Sequence, residues 1–147
     1  MSEWFAIPML FAGGLFAGGV TSIALERIPA WRSVGLSEFL SGFAHTVRRV
    51  DRIQPALLVV CLVSTIGFAI GAEATARTSA LLATACFVIV FIGSVAWLVP
   101  IQRQLVAAST EQPSRPLEHL RSQWLRGHWI RMVVALIALS LAVVAAT

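Results

Sequence analysis

Four long apolar runs, three of them without a charged residue, constrain the fold of this 147-residue chain more than any other feature of its sequence. A transmembrane helix needs about 20 residues to cross a hydrocarbon core of about 30 Å. Lipid offers no partner to backbone polar groups, so such runs cross it as helices. We therefore predict an all-α, polytopic membrane protein, a four-transmembrane-helix bundle that forms a single domain over residues 1–147. The predicted spans are residues 5–25, 55–72, 78–100 and 128–147.

The composition argues against several classes of function. Only 12% of the residues are charged, against about 25% in soluble domains. Cys61 and Cys86 lie in separate spans without a C-x-x-C motif, which argues against a disulfide oxidoreductase and a zinc site. The three histidines lie on separate elements without a carboxylate cluster, a poor arrangement for a metal. Walker, Rossmann and haem-attachment motifs are absent from the sequence. We expect neither a metal nor a cofactor.

The arginines predict the orientation of the chain in the membrane. The long connections after the first and third spans carry nine arginines, whereas the turn between the second and third spans carries only Arg77. Positive residues favour the cytoplasmic side. We therefore expect a multi-pass protein of the cell (cytoplasmic) membrane, with both long loops cytoplasmic and both termini outside. The nine are Arg27, Arg32, Arg48, Arg49, Arg52, Arg103, Arg115, Arg121 and Arg126.

The first long connection contains a predicted amphipathic helix between the first two spans. Its apolar residues recur at steps of three and four, which is the helical period. Ser37 is the predicted N-cap, and Pro55 is predicted to end the helix near Ile53 and to begin the second span. The helix either lies in the membrane interface or caps the cytoplasmic mouth of the bundle. Its apolar positions are Leu36, Phe39, Leu40, Phe43, Val47, Val50 and Ile53.

Arg131 is a charged residue within the last predicted span, 128–147. Sixteen uncharged residues follow it, which is short for a span, so we expect Arg131 at or just inside the membrane boundary. Trp124, His128 and Arg131 lie on one helix face, since their spacing is four and three. An arginine and a histidine at a bundle mouth could bind and deprotonate an acidic organic molecule. Alternatively, Arg131 extends to lipid phosphates and His128 lies at the interface.

Two further groups are candidates for the site. His45, Asp51 and Arg52 lie near the start of the second span and belong at the same mouth, unless they only form the solvated face of the amphipathic helix. Gly14 and Gly18 form a G-x-x-x-G motif in the first span. Such a surface favours close helix packing within the bundle; alternatively, it leaves room for a flat ligand.

Several segments together resemble the anthrone-oxygenase-like membrane proteins. The resemblance rests on the glycine-rich first span, on the segment Arg48-Arg49-Val50-Asp51-Arg52-Ile53-Gln54-Pro55, on Val99-Pro100-Ile101-Gln102-Arg103-Gln104-Leu105, and on Trp124-x-x-x-His128-x-x-Arg131. Members of that family commonly have asparagine where this chain has Gln102 and His128.

The resemblance implies a four-helix membrane bundle and, as in the best-known members, a cofactor-independent monooxygenase of aromatic polyketide biosynthesis. Such an oxidoreductase converts an anthrone to an anthraquinone through an enolate that reacts with dioxygen. His128 or His45 is then the expected base and Arg131 the enolate-binding cation. Arg52 is a second cation, and Asp51 orients a histidine or an arginine. Trp124, Gly14 and Gly18 are expected to contact the substrate.

Other functions remain compatible with the sequence. A non-catalytic membrane subunit or carrier would bind a hydrophobic molecule without turnover. A structural protein would use the glycine face and the arginine-rich loops to recruit partners, and a cyclase would use the same acid–base residues. The expected partners are the lipid bilayer and, where the protein binds a ligand, a hydrophobic aromatic small molecule, with no nucleic acid. The oligomeric state does not follow from the sequence.

Overall fold

The computed structural model describes residues 3–50, 53–108 and 114–147, and these are helical apart from short connections. Four helical stretches are long and apolar enough to cross a membrane: Glu3–Ser33, Gln54–Gly71, Ala74–Ala107 and Arg115–Ala146. The protein is therefore an all-α, multi-pass membrane protein, as predicted. The first, third and fourth stretches are longer than the predicted spans because the helices continue into polar sequence beyond the apolar runs.

The four stretches contain six α-helices and two π-helical segments, and one further α-helix lies between the first and second stretches. The helices are α1 (Glu3–Ser22), α2 (Ile28–Ser33), α3 (Leu36–Val50), α4 (Gln54–Gly71), α5 (Ala74–Gly93), α6 (Val99–Ala107) and α7 (Arg115–Ala146). The π segments, Ile23–Arg27 and Ser94–Leu98, join α1 to α2 and α5 to α6 without a break.

A proline explains the position of each π segment. Pro29 and Pro100 stand two residues beyond the end of a π segment, and proline has no N–H to donate to the carbonyl four residues earlier. The helix continues through wider turns: the N–H of Ile28 donates to Ile23, and the N–H of Val99 donates to Ser94. Such bulges are frequent at functional sites because they redirect a helix locally.

The membrane helices form a closed ring in which each packs against two neighbours. Helix α1 packs against α4 and α7, and α5 packs against the other sides of α4 and α7. Small residues of α7 are completely buried at these contacts, namely Ala135, Ala138 and Ala142. Close packing of small residues is the usual way for helices to associate in lipid.

The glycine face of α1 does not pack as the G-x-x-x-G motif suggests. Gly14 and Gly18 are exposed, and a Cβ at either would meet nothing within 4 Å. Gly13 and Ala17 are buried instead, and a Cβ on Gly13 would lie 3.3 Å from Leu139. The bundle contact of α1 therefore uses the neighbouring pair, one position earlier along the helix.

Helix α3 packs on the end of the bundle. Its side chains Phe39, Leu40 and Phe43 are completely buried, and α3 contacts α6. Of the two alternatives for this amphipathic helix, the structure therefore supports the cap. Ser37 is not the N-cap, because the helix begins at Leu36 and the carbonyl of Gly35 accepts the N–H of Phe39. The second span does begin at the predicted proline, with α4 starting at Gln54.

Candidate functional site

A cavity of about 530 Å³ lies at the α3 end of the bundle. Apolar side chains, including those of Phe16, Leu58 and Phe91, form much of its wall. Phe91 and Val95 are also exposed on the outer surface of the bundle, so the cavity has an opening on the side that faces lipid. Its polar lining residues are Gln54, Ser94, Gln102, Arg103 and Arg131.

The cavity exists because two helices separate at this end. Helix α4 packs along α5 but has few contacts with α6, which continues from α5 after the π segment Ser94–Leu98. This π segment contributes Ser94, Val95 and Leu98 to the cavity wall. The bulge before Pro100 thus lies at the point where the wall turns away from α4.

Arg131 is held in place by two neighbouring side chains. Its Nη2 donates to Oε1 of Gln54, at 3.0 Å, and to Nδ1 of His128, at 3.3 Å. One partner comes from the first turn of α4, and the other lies three residues earlier on α7. The guanidinium is therefore positioned on the cavity wall instead of extending freely to the surface.

His128 lies behind Arg131 and does not line the cavity. The ring is completely buried, and its Nε2 lies 3.0 Å from the carbonyl oxygen of Val20. That carbonyl can only accept, so Nε2 carries the hydrogen and Nδ1 is free to accept from Arg131. Val20 lies just before the π segment Ile23–Arg27, where the backbone hydrogen-bonding pattern of the first span changes.

An aromatic cluster connects His128 to α3. Trp124 stacks on the imidazole, with ring centroids 4.9 Å apart, and its other neighbours are Phe43 and Trp31, at 4.7 and 6.0 Å. Arg121 holds the end of α2 against this cluster by donating to the carbonyls of Trp31 and Val34. The site is thus built on a rigid support instead of a loop.

A narrow crevice adjoins the cavity on the side of this aromatic cluster. Its volume is about 10 Å³, and Gln54, Gln102 and Arg131 line both spaces. Two of the residues that line it each carry a buried donor, Nε2 of Gln54 and Nε1 of Trp124, that finds no hydrogen-bond acceptor among the residues that the structure describes.

The structure brings together some of the predicted site residues and separates others. Trp124, His128 and Arg131 share one face of α7 and contact one another in sequence order. His45 is exposed and lies in a different depression, with Arg48 and Arg49.

Two other predicted residues, Gly14 and Gly18, do not join the described site. Gly14 and Gly18 face outward and are absent from the described wall of the cavity. Asp51 and Arg52 lie outside the described residues. Within the described ranges, no group of three histidine, cysteine, aspartate or glutamate side chains could hold a metal ion.

Three residues of the site, Gln54, Gln102 and Ser94, were not predicted from the sequence. The two glutamines carried a signal, because each is a polar amide within two residues of a proline at one end of an apolar run. Polar side chains in such positions are costly in lipid unless they face a cavity or a partner. Ser94 had no comparable signal.

A four-helix membrane bundle with a largely apolar cavity at one end, lined in part by polar side chains, is the class of protein that these features define. The family model described as anthrone oxygenase matches residues 43–141, and the chain belongs to that family. The match runs from α3 through most of α7 and includes the three motif segments at the cavity, but not the glycine-rich first span. No curated protein matches the chain, and no solved structure matches it.

Proposed function

We propose that this protein is a cofactor-independent oxygenase that converts an anthrone-like aromatic ketone to the corresponding quinone. One observation carries the proposal: three segments distant in the sequence supply Gln54, Gln102 with Arg103, and Arg131 to a single cavity. The cavity is large enough for a planar tricyclic molecule, at about 530 Å³. Family membership supports the choice of reaction.

The proposed reaction begins with loss of a proton from the CH₂ group of the anthrone. The resulting enolate oxygen is negative, and the guanidinium of Arg131 stabilises it in a site largely shielded from water. The proposed proton acceptor is water that enters at the polar edge of the cavity, where Arg103 is exposed. The fixed cation lowers the free energy of the enolate and so favours transfer of the proton to water.

The enolate then reduces dioxygen. Carbon–oxygen bond formation gives a hydroperoxide at the former CH₂ carbon, and loss of the second C–H proton with cleavage of the O–O bond gives the quinone carbonyl. One atom of dioxygen enters the product and the other leaves as water. The protein supplies a cation, fixed polar groups and an apolar enclosure.

A binding-only function is the second candidate, and one observation favours it. Among the cavity-lining residues of the described ranges there is no carboxylate and no imidazole, because His128 lies behind Arg131. A carrier or membrane subunit needs no proton acceptor. It would hold an aromatic ketone in the same cavity and release it unchanged.

Dioxygen uptake and quinone formation by the purified protein in detergent, with a panel of anthrones, test the proposal. Arg131→Met should lower the rate above the spontaneous reaction by about 100-fold, as for loss of one group that stabilises an oxyanion. Arg126→Met is the matched control on the same helix, because Arg126 is exposed and lies away from the cavity. Its rate should stay within about twofold of the parent.

Two results would contradict the oxygenase proposal. Equal rates for Arg131→Met and Arg126→Met would remove Arg131 from the reaction. A folded parent protein that binds anthrones but never exceeds the spontaneous rate would leave the binding-only function.

A further inference from the structure

We infer that the crevice between Gln54 and Trp124 is an oxygen-binding subsite, in which Nε2 of Gln54 and Nε1 of Trp124 donate to one oxygen atom of the molecule in the cavity. The inference rests on the proposed function for the class of that molecule, an aromatic ketone. It adds a pair of uncharged donors to the site and assigns them to the ketone or enolate oxygen.

The two donors are buried and lack an acceptor within the described part of the chain. Gln54 is 7% exposed and Trp124 is 3% exposed. Leaving a buried donor unsatisfied is costly, and most such groups in proteins have a partner. Two of them on residues that line one crevice point to a missing acceptor.

The orientation of the Gln54 amide is fixed by its neighbour. Nη2 of Arg131 donates to Oε1, and the opposite amide orientation would place an NH₂ group against the guanidinium. Nε2 is therefore turned away from Arg131. Nε2 lies close to the backbone of Gly19, since a Cβ there would be only 3.3 Å from it.

The size and position of the crevice fit a single oxygen atom. Its volume of about 10 Å³ is near the minimum that holds one water-sized group. Val47, Gln54, Gln102 and Arg131 line both the crevice and the cavity. A carbonyl oxygen can therefore occupy the crevice while its ring system lies in the cavity. An ordered water has the same acceptor chemistry, so the experiment distinguishes the two sources.

The test is anaerobic binding of 9,10-anthraquinone and anthracene to the purified protein in detergent. Both have the same ring skeleton, but only the quinone carries oxygen, and neither is turned over. The parent should bind the quinone more tightly. Trp124→Phe removes the N–H and keeps a ring on His128, so it should weaken quinone binding about tenfold, as expected for one buried hydrogen bond. Anthracene binding should change less than about twofold.

Trp4→Phe is the matched control, because Trp4 is 83% exposed and far along the chain from the crevice. It should leave both affinities unchanged. Gln54→Glu is the second variant: it keeps an oxygen for Arg131 but replaces the Nε2 donor with an acceptor. It should also weaken quinone binding and spare anthracene binding.

Three outcomes would overturn the inference: equal affinity of the parent for quinone and anthracene, equal weakening of both ligands by Trp124→Phe, or unchanged quinone binding in both folded variants. The first two are expected if the crevice holds only water. Failure of the proposed reaction is a separate result, since a protein without oxygenase activity would still show the preference for the quinone.

Discussion

His128 donates to Val20 on the first span and accepts from Arg131 on its own helix, so its imidazole links the backbone of α1 to the cation on the cavity wall. The ring is buried and has both nitrogens engaged. This geometry makes His128 a positioning residue for Arg131. The predicted role as a base would require the ring to leave both partners.

Replacement of His128 by alanine should destabilise the protein by about 2–4 kcal/mol, because it leaves a void beside Trp124 and takes a hydrogen-bond partner from the buried carbonyl of Val20 and from the half-buried guanidinium of Arg131. The matched control is His119→Ala on the same helix, where the histidine is exposed and contacts only Gln123 in the described hydrogen-bond pattern. The control should change the stability by less than about 0.5 kcal/mol. Thermal unfolding in detergent measures both; equal stability of the two variants would contradict the positioning role.

For individual residues, the sequence predicted which side chains share a helix face, but not the direction in which each side chain is oriented. The four- and three-residue spacing was sufficient to place Trp124, His128 and Arg131 on one face of α7. The orientation of His128 toward α1 depends on the Val20 carbonyl, and thus on the π segment Ile23–Arg27. The sequence of α7 carries no information about the backbone of α1, so the orientation of His128 could not be predicted from it.

Helix α3 covers the end of the bundle at which the candidate site lies. Its buried aromatic residues contact Trp31 and Trp124, and Trp124 in turn stacks on His128. The three-and-four periodicity predicted the apolar face of α3 from Leu36 to Val50, where these residues are buried or half-buried, but the last predicted position, Ile53, lies beyond α3 and is 62% exposed. It did not decide between the membrane interface and the bundle, because both environments accept the same apolar face.

Phe43→Ala should cost about 3–5 kcal/mol of stability if α3 packs as part of the core. Phe43 is completely buried and lies 4.7 Å from the ring of Trp124. Arg49→Ala, on the exposed side of the same helix, should change stability by less than about 0.5 kcal/mol. Chemical or thermal unfolding in detergent compares them. A small effect of Phe43→Ala would indicate that α3 rests on the lipid surface and not on the bundle.

The positions of the prolines predicted the π segments only in part. Pro29 and Pro100 indicate a disturbed helix, but they do not say whether the chain bends, ends or continues through wider turns. Here it continues, with the N–H of Ile28 and Val99 donating across five residues. Packing against α7 is one constraint on this choice. Leu98 and Trp97 pack directly against Gly127 of α7, where a Cβ would lie only 2.5 Å from the side chain of Leu98.

For the whole molecule, run length and charge predicted the four spans, because the cost of burying charge and backbone in lipid is read directly from sequence. The cavity could not be predicted in this way. It depends on α4 and α6 separating while α4 and α5 stay packed, and such a relation between helices leaves no periodic signal in either one.

The charge distribution also predicts the orientation of the bundle. We expect Arg49 on the cytoplasmic side and Glu73, in the turn between α4 and α5, on the outer side. In intact cells a membrane-impermeant thiol reagent should label Glu73→Cys, and it should label Arg49→Cys only after lysis. Cys61→Ala and Cys86→Ala remove the native thiols from the background. Labelling of Arg49→Cys in intact cells with protection of Glu73→Cys would reverse the orientation.

An anaerobic spectrum shows whether Arg131 stabilises an enolate in the cavity. Without dioxygen the reaction should stop at the enolate, whose absorption differs from that of the neutral anthrone. The parent protein should produce the enolate band on mixing with 1,8-dihydroxyanthrone, and the band should disappear with quinone formation when dioxygen is admitted. Arg131→Met should show no band, whereas Arg126→Met should match the parent. A parent spectrum without the band, or an equal band in Arg131→Met, would show that Arg131 does not stabilise an enolate in the cavity.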